Sequence, residues 1–69
     1  MTKKEAYYRQ VMNKFTEEYG LTEEEFLRIY NSDDYWGEKS KLPEGLQSAF
    51  CHLFVAYRQY LRDRGELKN

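Results

Sequence analysis

Apolar positions recur every three or four residues in three segments of the chain, which is the period of an amphipathic helix. The first segment follows Thr2, which stands at capping-box spacing from Glu5, and it ends before Gly20. Glycine suits the left-handed position after a helix. These signals predict a helix over residues 3–19 with one apolar stripe: Tyr8, Val11, Met12, Phe15 and Tyr19.

A second helix start is marked by "GLTEEEF". Thr22 and Glu25 form another capping box, and Leu21 and Phe26 have the spacing of a hydrophobic staple. The glutamates at 23–25 suit the positive end of the helix dipole, although they also fit an acidic docking surface. We predict a helix over residues 23–31 that buries Phe26, Leu27 and Tyr30.

The third segment is the longest. Pro43 is tolerated in a first helical turn, Glu44 favours the helix dipole, and Gly65 is a natural stop. The pattern predicts a helix over residues 43–64. Its apolar stripe consists of Leu46, Phe50, Leu53, Phe54, Tyr57, Tyr60 and Leu61.

These segments predict an all-α protein, a single small three-helix domain spanning residues 1–69. Residues 32–42, "SDDYWGEKSKL", are left as a long loop between helices two and three. Links between helices of a bundle usually have about two to eight residues. The length of this loop indicates that it is functional or ordered by its own side chains.

The chain is rich in aromatic residues, with seven Tyr, four Phe and one Trp in 69 residues. So small a domain needs an additional source of stability, and the single Cys51 cannot form an internal disulfide. Dense aromatic packing, helped by self-association, is the expected source. The lone thiol favours a reducing compartment or indifference to redox state. Because no apolar run reaches the roughly 20 residues of a membrane span and no signal core is evident, we expect a cytoplasmic protein.

The net charge of −1 conceals a pattern. Residues 17–38 carry a net charge of −7, and the segments on either side carry +3 each. Nucleic-acid binding usually requires a basic patch, whereas the second helix begins with three glutamates that would repel phosphate. The loop before the third helix is also too long for a helix-turn-helix. We therefore do not expect nucleic acid as the main partner. A regulator that binds or mimics nucleic acid is the alternative to a protein-binding function.

No constellation of catalytic or metal-ligating residues emerges. Cys51 and His52 are adjacent, so on a helix their side chains point about 100° apart. Metal pairs on a helix stand three or four residues apart, and Asp33 and Asp34 lack a third ligand at suitable spacing. We find no glycine-rich phosphate loop and no serine nucleophile motif. We expect no enzyme activity, no metal and no cofactor.

Protein binding has positive support in the loop. Interfaces favour Tyr, Trp and Arg, and Tyr35 and Trp36 lie together beside Asp33 and Asp34. As a binding site, the two aromatic residues would be anchors and the aspartates would give electrostatic selectivity. In the opposite interpretation Trp36 folds back as a lid over the core. The burial of the indole distinguishes the two.

Arg58 and Arg62 share one face of the third helix. Cations are common in the last turns of helices, where they compensate the negative end of the dipole. The same pair would also suit a second surface for an acidic partner.

The run "LPEGLQSAFCHLFVAYRQ" resembles a segment of the theta subunit of bacterial DNA polymerase III and its phage homologue. The matching residues are Pro43, Glu44, Leu46, Phe50, Phe54, Tyr57 and Arg58. Upstream, "FTEEYGL" is loosely similar to the end of that family's first helix. The resemblance implies a three-helical, non-enzymatic protein that binds and stabilises a proofreading exonuclease subunit. The interval from Tyr19 to Pro43 is longer than in the family, and the family's proline-containing tail is absent.

Together these features predict a small non-enzymatic protein-binding module, an accessory or inhibitory subunit from a phage or other mobile element. The regulator that binds or mimics nucleic acid is one alternative. The other is a structural homo-oligomer stabilised by exposed aromatic residues.

Overall fold

The computed structural model describes residues 2–66, which form four helices: α1 (Lys3–Tyr19), α2 (Glu23–Tyr30), α3 (Tyr35–Ser40) and α4 (Glu44–Asp63). No strand occurs within this range, so the all-α class is confirmed. The predicted count of three helices and the long loop over residues 32–42 are wrong, because α3 forms inside that loop. None of the four helices has the length and apolarity needed to cross a membrane.

The predicted helix starts are present, but each capping box is half formed. The hydroxyl of Thr2 accepts the N–H of Glu5, and that of Thr22 accepts the N–H of Glu25, both at 3.1 Å. Each glutamate side chain pairs instead with an arginine three or four residues later. Gly20 ends α1 with a φ of 73°, as the sequence indicates.

The core is aromatic and is centred on Phe26, which is fully buried. Its ring lies 6.3 Å from Tyr8 of α1, 5.1 Å from Phe50 of α4 and 5.4 Å from Tyr57 of α4. This ring therefore contacts both long helices, and Tyr30 of α2 adds ring contacts with Phe54 and Tyr57 of α4. The buried residues of the core cluster are Tyr8, Val11, Met12, Phe15, Leu21, Phe26, Ile29, Ala49, Phe50, Leu53 and Tyr60.

Tyr19, Leu27 and Tyr30 are less buried than the apolar pattern predicts. Tyr19 lies in the last turn of α1, where Phe15 packs against its ring, and it is 46% exposed. In α2, Leu27 and Tyr30 are only half-buried, whereas Ile29 is buried. All three less buried residues lie in the last turn of their helix.

The short helix α3 is held by its cap and by one aromatic side chain. The Asp34 carboxylate accepts the N–H of Gly37 at 3.2 Å, which satisfies a free donor of the first turn. Tyr35 packs against Phe50 and Phe54 of α4, with ring centroids 5.9 and 5.2 Å away. The packing of Tyr35 therefore fixes the position of α3 on α4.

The link from α3 to α4 is tied down by Gln47. Its amide donates to the carbonyl of Leu42 at 2.8 Å and to that of Ser40 at 3.3 Å. By residue type, Gln47 is one of the few side chains in the first turns of α4 that can hydrogen-bond to nucleic-acid bases. In the structure its amide nitrogen bonds the chain's own backbone.

Candidate protein-binding surface

Trp36 lies on the outside of α3 and is 73% exposed. Its ring contacts Tyr35 edge-on, with centroids 5.1 Å apart, and Tyr35 in turn packs on Phe54. The exposed indole excludes the lid over the core. The indole packs instead on the half-buried ring of Tyr35, which joins it to the body of the domain.

A lysine lies against this indole. The ammonium of Lys39 is 5.0 Å from the centre of the Trp36 ring and donates to the Cys51 sulfur at 2.6 Å. A cation above an indole face is attracted by the ring's quadrupole, by roughly 0.5–1 kcal/mol at exposed sites. The Lys39 charge is thus confined between α3 and α4 rather than free in solvent.

Arg58 makes the corresponding contact on α4. Its guanidinium carbon lies 5.5 Å from the centre of the Phe54 ring, which also touches Tyr35. We call the continuous set Tyr35, Trp36, Lys39, Phe54 and Arg58 the Trp36 face. Two regions that the sequence treats as separate, the Tyr35–Trp36 pair and Arg58, belong to this one surface.

The aspartates that precede Tyr35 have unequal environments. Asp34 is the N-cap of α3, so its carboxylate already has a backbone partner. Asp33 is exposed in the turn before the helix. That both aspartates act with the aromatic residues in binding a partner stays a prediction. In the structure, Asp34 has a structural role as the N-cap of α3.

Arg62 lies outside the Trp36 face. It is exposed and borders a separate shallow concavity with Lys4, Gln59 and Asp63, between the start of α1 and the end of α4. Arg58 does not border this concavity, although the two arginines occupy adjacent turns of one helix face.

Burial raises the pKa of the Tyr35 phenol, and the neighbouring Cys51 and Tyr30 add to the effect. The phenol consequently remains neutral at neutral pH and keeps its hydrogen-bonding proton. On the Trp36 face, the formal charges at this pH are the two cations, Lys39 and Arg58.

A second concavity lies between α1 and α4, on another side of α4. It is a groove of about 490 Å³ lined by Tyr7, Phe15, Tyr19, Lys14 and His52, among others. The Tyr7 hydroxyl and His52 Nε2 are hydrogen-bonded at 2.9 Å. No acidic side chain lines the groove within residues 2–66, so His52 has no carboxylate there to orient it as a general base.

Sequence reasoning missed Lys39, Phe54 as a surface residue, and Val55. Val55 is 54% exposed and is a helix neighbour of Cys51 and Arg58. Lys39 stands three residues after Trp36, a spacing that places side chains together only in a helix. Had residues 35–40 been read as helical, this spacing would have pointed to Lys39.

Comparisons with known protein families, with curated proteins and with solved structures found no match to this chain. Its function is therefore inferred from the geometry of its own residues.

Proposed function

We propose that this protein is a non-enzymatic module that binds another protein through the Trp36 face. The observation that carries the proposal is a large indole, 73% exposed, on a rigid aromatic support. Binding hot spots are enriched in Trp, Tyr and Arg, and all three residue types meet here. Because Tyr35 and Phe54 are ordered before binding, little side-chain entropy is lost when a partner covers them.

The absence of enzyme activity is part of the proposal. It is supported by the groove between α1 and α4, where His52 is engaged with Tyr7 and no acidic side chain within the described range is nearby. In residues 2–66, no group of three His, Cys, Asp or Glu residues is arranged to hold a metal ion.

As a role we propose an accessory or inhibitory subunit acting in the cytoplasm, by the resemblance of the α4 segment to the theta subunit. Phe54 and Arg58, two of the matching residues, lie on the Trp36 face. We do not propose the exonuclease subunit as the partner of this chain. Trp36 and Lys39 lie in the interval that is longer here than in that family, so most of this surface belongs to the present chain alone.

The test is affinity capture from the cell of origin with wild type, Trp36→Ala and Tyr19→Ala as baits. Tyr19 is a matched control, an exposed aromatic residue that lines the groove between α1 and α4 and is not part of the Trp36 face. We expect Trp36→Ala to lose the partner while its helical circular dichroism is unchanged, and Tyr19→Ala to retain the partner. Loss with Tyr19→Ala alone would place the binding site in the groove, and unfolding of Trp36→Ala would make the indole structural.

Two further measurements separate the alternatives. Nucleic-acid binding would show a steep salt dependence that disappears when Arg58 and Arg62 are both replaced by Ala. A homo-oligomer would sediment with a mass that rises with concentration. The proposed module gives neither result.

A further inference from the structure

Among the residues that the structure describes, the two cations of the Trp36 face have aromatic contacts but no acidic partner. Within residues 2–66, neither Lys39 nor Arg58 forms an ion pair with a carboxylate. The nearest acids along α3 are already engaged. Asp34 caps the helix, and Glu38 pairs with Arg28 at 3.6 Å and with Lys41 at 3.8 Å.

The apolar part of this surface is exposed as well. Trp36 is 73% exposed, and Val55, beside Arg58 on α4, is 54% exposed. The Trp36 face therefore combines an exposed indole with two cations held against rings, Lys39 at Trp36 and Arg58 at Phe54, and the exposed Val55 adjoins Arg58 on α4. A complementary partner must supply both an apolar side chain and negative charge.

We propose that the Trp36 face binds a short amphipathic segment of a partner protein, in which a large apolar side chain is flanked by Asp or Glu. This inference rests on the proposed function and names the chemistry of the partner. The apolar side chain packs beside Trp36 and Val55, and the carboxylates pair with Lys39 and Arg58. Both cations are already held against rings, so the entropy cost of forming these ion pairs is reduced.

Charge argues against a second copy of this chain as the occupant. In a two-fold symmetric contact each face would meet itself, and the cations of one copy would approach those of the other. The acidic helix α2 of a second copy is also poorly suited to supply the carboxylates that would pair with these cations. Glu23 accepts from the Tyr8 hydroxyl at 2.7 Å, and Glu25 pairs with Arg28, which leaves only Glu24 of that triplet without a partner within the described residues.

Charge also disfavours nucleic acid. A polyanion would meet two cations here and, close by, Asp33 and Glu38 in a segment whose net charge over residues 17–38 is −7. Isolated carboxylates of a peptide can be placed between these acids, whereas a continuous phosphate backbone would be repelled.

The experiment selects ligands for the full-length protein from a displayed library of random short peptides. We expect the enriched peptides to combine large apolar residues with Asp or Glu. The affinities of the synthesised peptides are then measured against three variants: Lys39→Gln with Arg58→Gln, Lys3→Gln with Lys4→Gln, and Trp36→Ala. The second double variant removes the same charge from the exposed start of α1, where neither lysine forms an ion pair within residues 2–66.

Loss of the two face cations should weaken binding about tenfold, because each exposed ion pair strengthens binding only by a factor of a few. Loss of the two control lysines should weaken binding less than about twofold. Added salt should weaken binding to wild type for the same reason. Circular dichroism of each variant checks that the fold is intact.

Each contrary result has a distinct meaning. If the enriched peptides lack acids, or bind the Lys39→Gln, Arg58→Gln variant unchanged, the acidic partner is wrong, while dependence on Trp36 still supports the proposed function. If peptides bind Trp36→Ala as well as wild type, the surface itself is wrong. If no peptide is enriched, a short segment is overturned as the ligand. If labelled oligothymidylate binds and this binding is lost with Trp36→Ala, the ligand of the Trp36 face is nucleic acid and not a peptide. If the protein self-associates and the association is lost with Trp36→Ala, the ligand is a second copy of the chain.

Discussion

At the scale of single residues, Tyr8 has the least ordinary environment. Its ring is 1% exposed and stacks on Tyr60 with centroids 5.5 Å apart, yet its hydroxyl donates to Glu23 at 2.7 Å. Burial raises the pKa of the Tyr8 phenol far above its usual value, and the bond to Glu23 raises it further. The side chain therefore connects the core to the surface of α2.

Tyr8→Phe tests the hydrogen bond. The variant keeps the ring and its stacking but loses a part-buried bond to a carboxylate, so the free energy of unfolding should fall by about 1.5–3 kcal/mol at neutral pH. Urea denaturation followed by circular dichroism measures the change. An unchanged unfolding midpoint would show that Glu23 prefers water to the phenol.

The same pair of proteins tests the pH dependence. A phenol whose pKa is raised by folding favours the folded state below its unfolded pKa of about 10, and that stability is lost as the pH rises above it. Wild type should therefore lose up to about 1.4 kcal/mol per pH unit more than Tyr8→Phe above this pH. Parallel stability curves for the two proteins between neutral and strongly alkaline pH would contradict the assignment.

At the scale of elements, α3 depends on its neighbours. It has six residues, includes Gly37 and buries none of its own side chains fully, so it has little intrinsic stability. A Cβ on Gly37 would lie 2.1 Å from the Asp34 carboxylate, so glycine at this position leaves room for the cap. The helix therefore relies on Asp34 and on Tyr35.

Asp34→Ala should consequently fray α3. Loss of an N-cap costs about 1 kcal/mol, so amide hydrogens of residues 37–40 should exchange several-fold faster, while those of α4 are unaffected. Asp33→Ala is the matched control, because it removes the same charge from an exposed position next to the cap. Equal exchange rates in the two variants would show that charge, not capping, is what matters.

The elements also show how far a sequence of this kind can be read. Helices α1, α2 and α4 have apolar stripes, and α1 and α2 also have the local caps Thr2 and Thr22, whereas α4 is marked by Pro43; these signals lie within one segment each. Helix α3 has no such stripe. Its formation depends on Tyr35 packing against Phe50 and Phe54, residues far along the chain, and such contacts leave no local pattern.

The candidate site was predictable to a similar extent. Tyr35, Trp36 and Arg58 are recognisable from residue type alone, since interfaces favour them. That Arg58 joins the first two, and that Arg62 does not, follows from the path of α3 across α4. The position of Lys39 follows from the same path.

At the scale of the whole molecule, the four helices share one small core. The domain measures 31 × 27 × 17 Å and has one contiguous core cluster, to which α1, α2 and α4 contribute most of the buried side chains. The fully buried ring of Phe26, which contacts α1 and α4, is therefore the most sensitive position in α2.

Phe26→Ala should lower the free energy of unfolding by about 3–5 kcal/mol, the usual cost of removing a buried ring. Domains of this size often have no more than this margin, so most molecules should be unfolded at room temperature. Val55→Ala, which trims an exposed apolar residue, should change stability by less than about 0.5 kcal/mol. Thermal melts measure both variants, and equal melting midpoints would contradict this description of the core.

The exposure of Trp36 has a practical consequence. It is the only tryptophan in the chain, so the indole fluorescence of the protein arises from the Trp36 face and none of it from the core. Emission from a wet indole shifts to shorter wavelength when a ligand covers the ring. The unlabelled protein thus carries its own optical reporter of occupancy, and a titration in a cuvette can follow binding separately from unfolding.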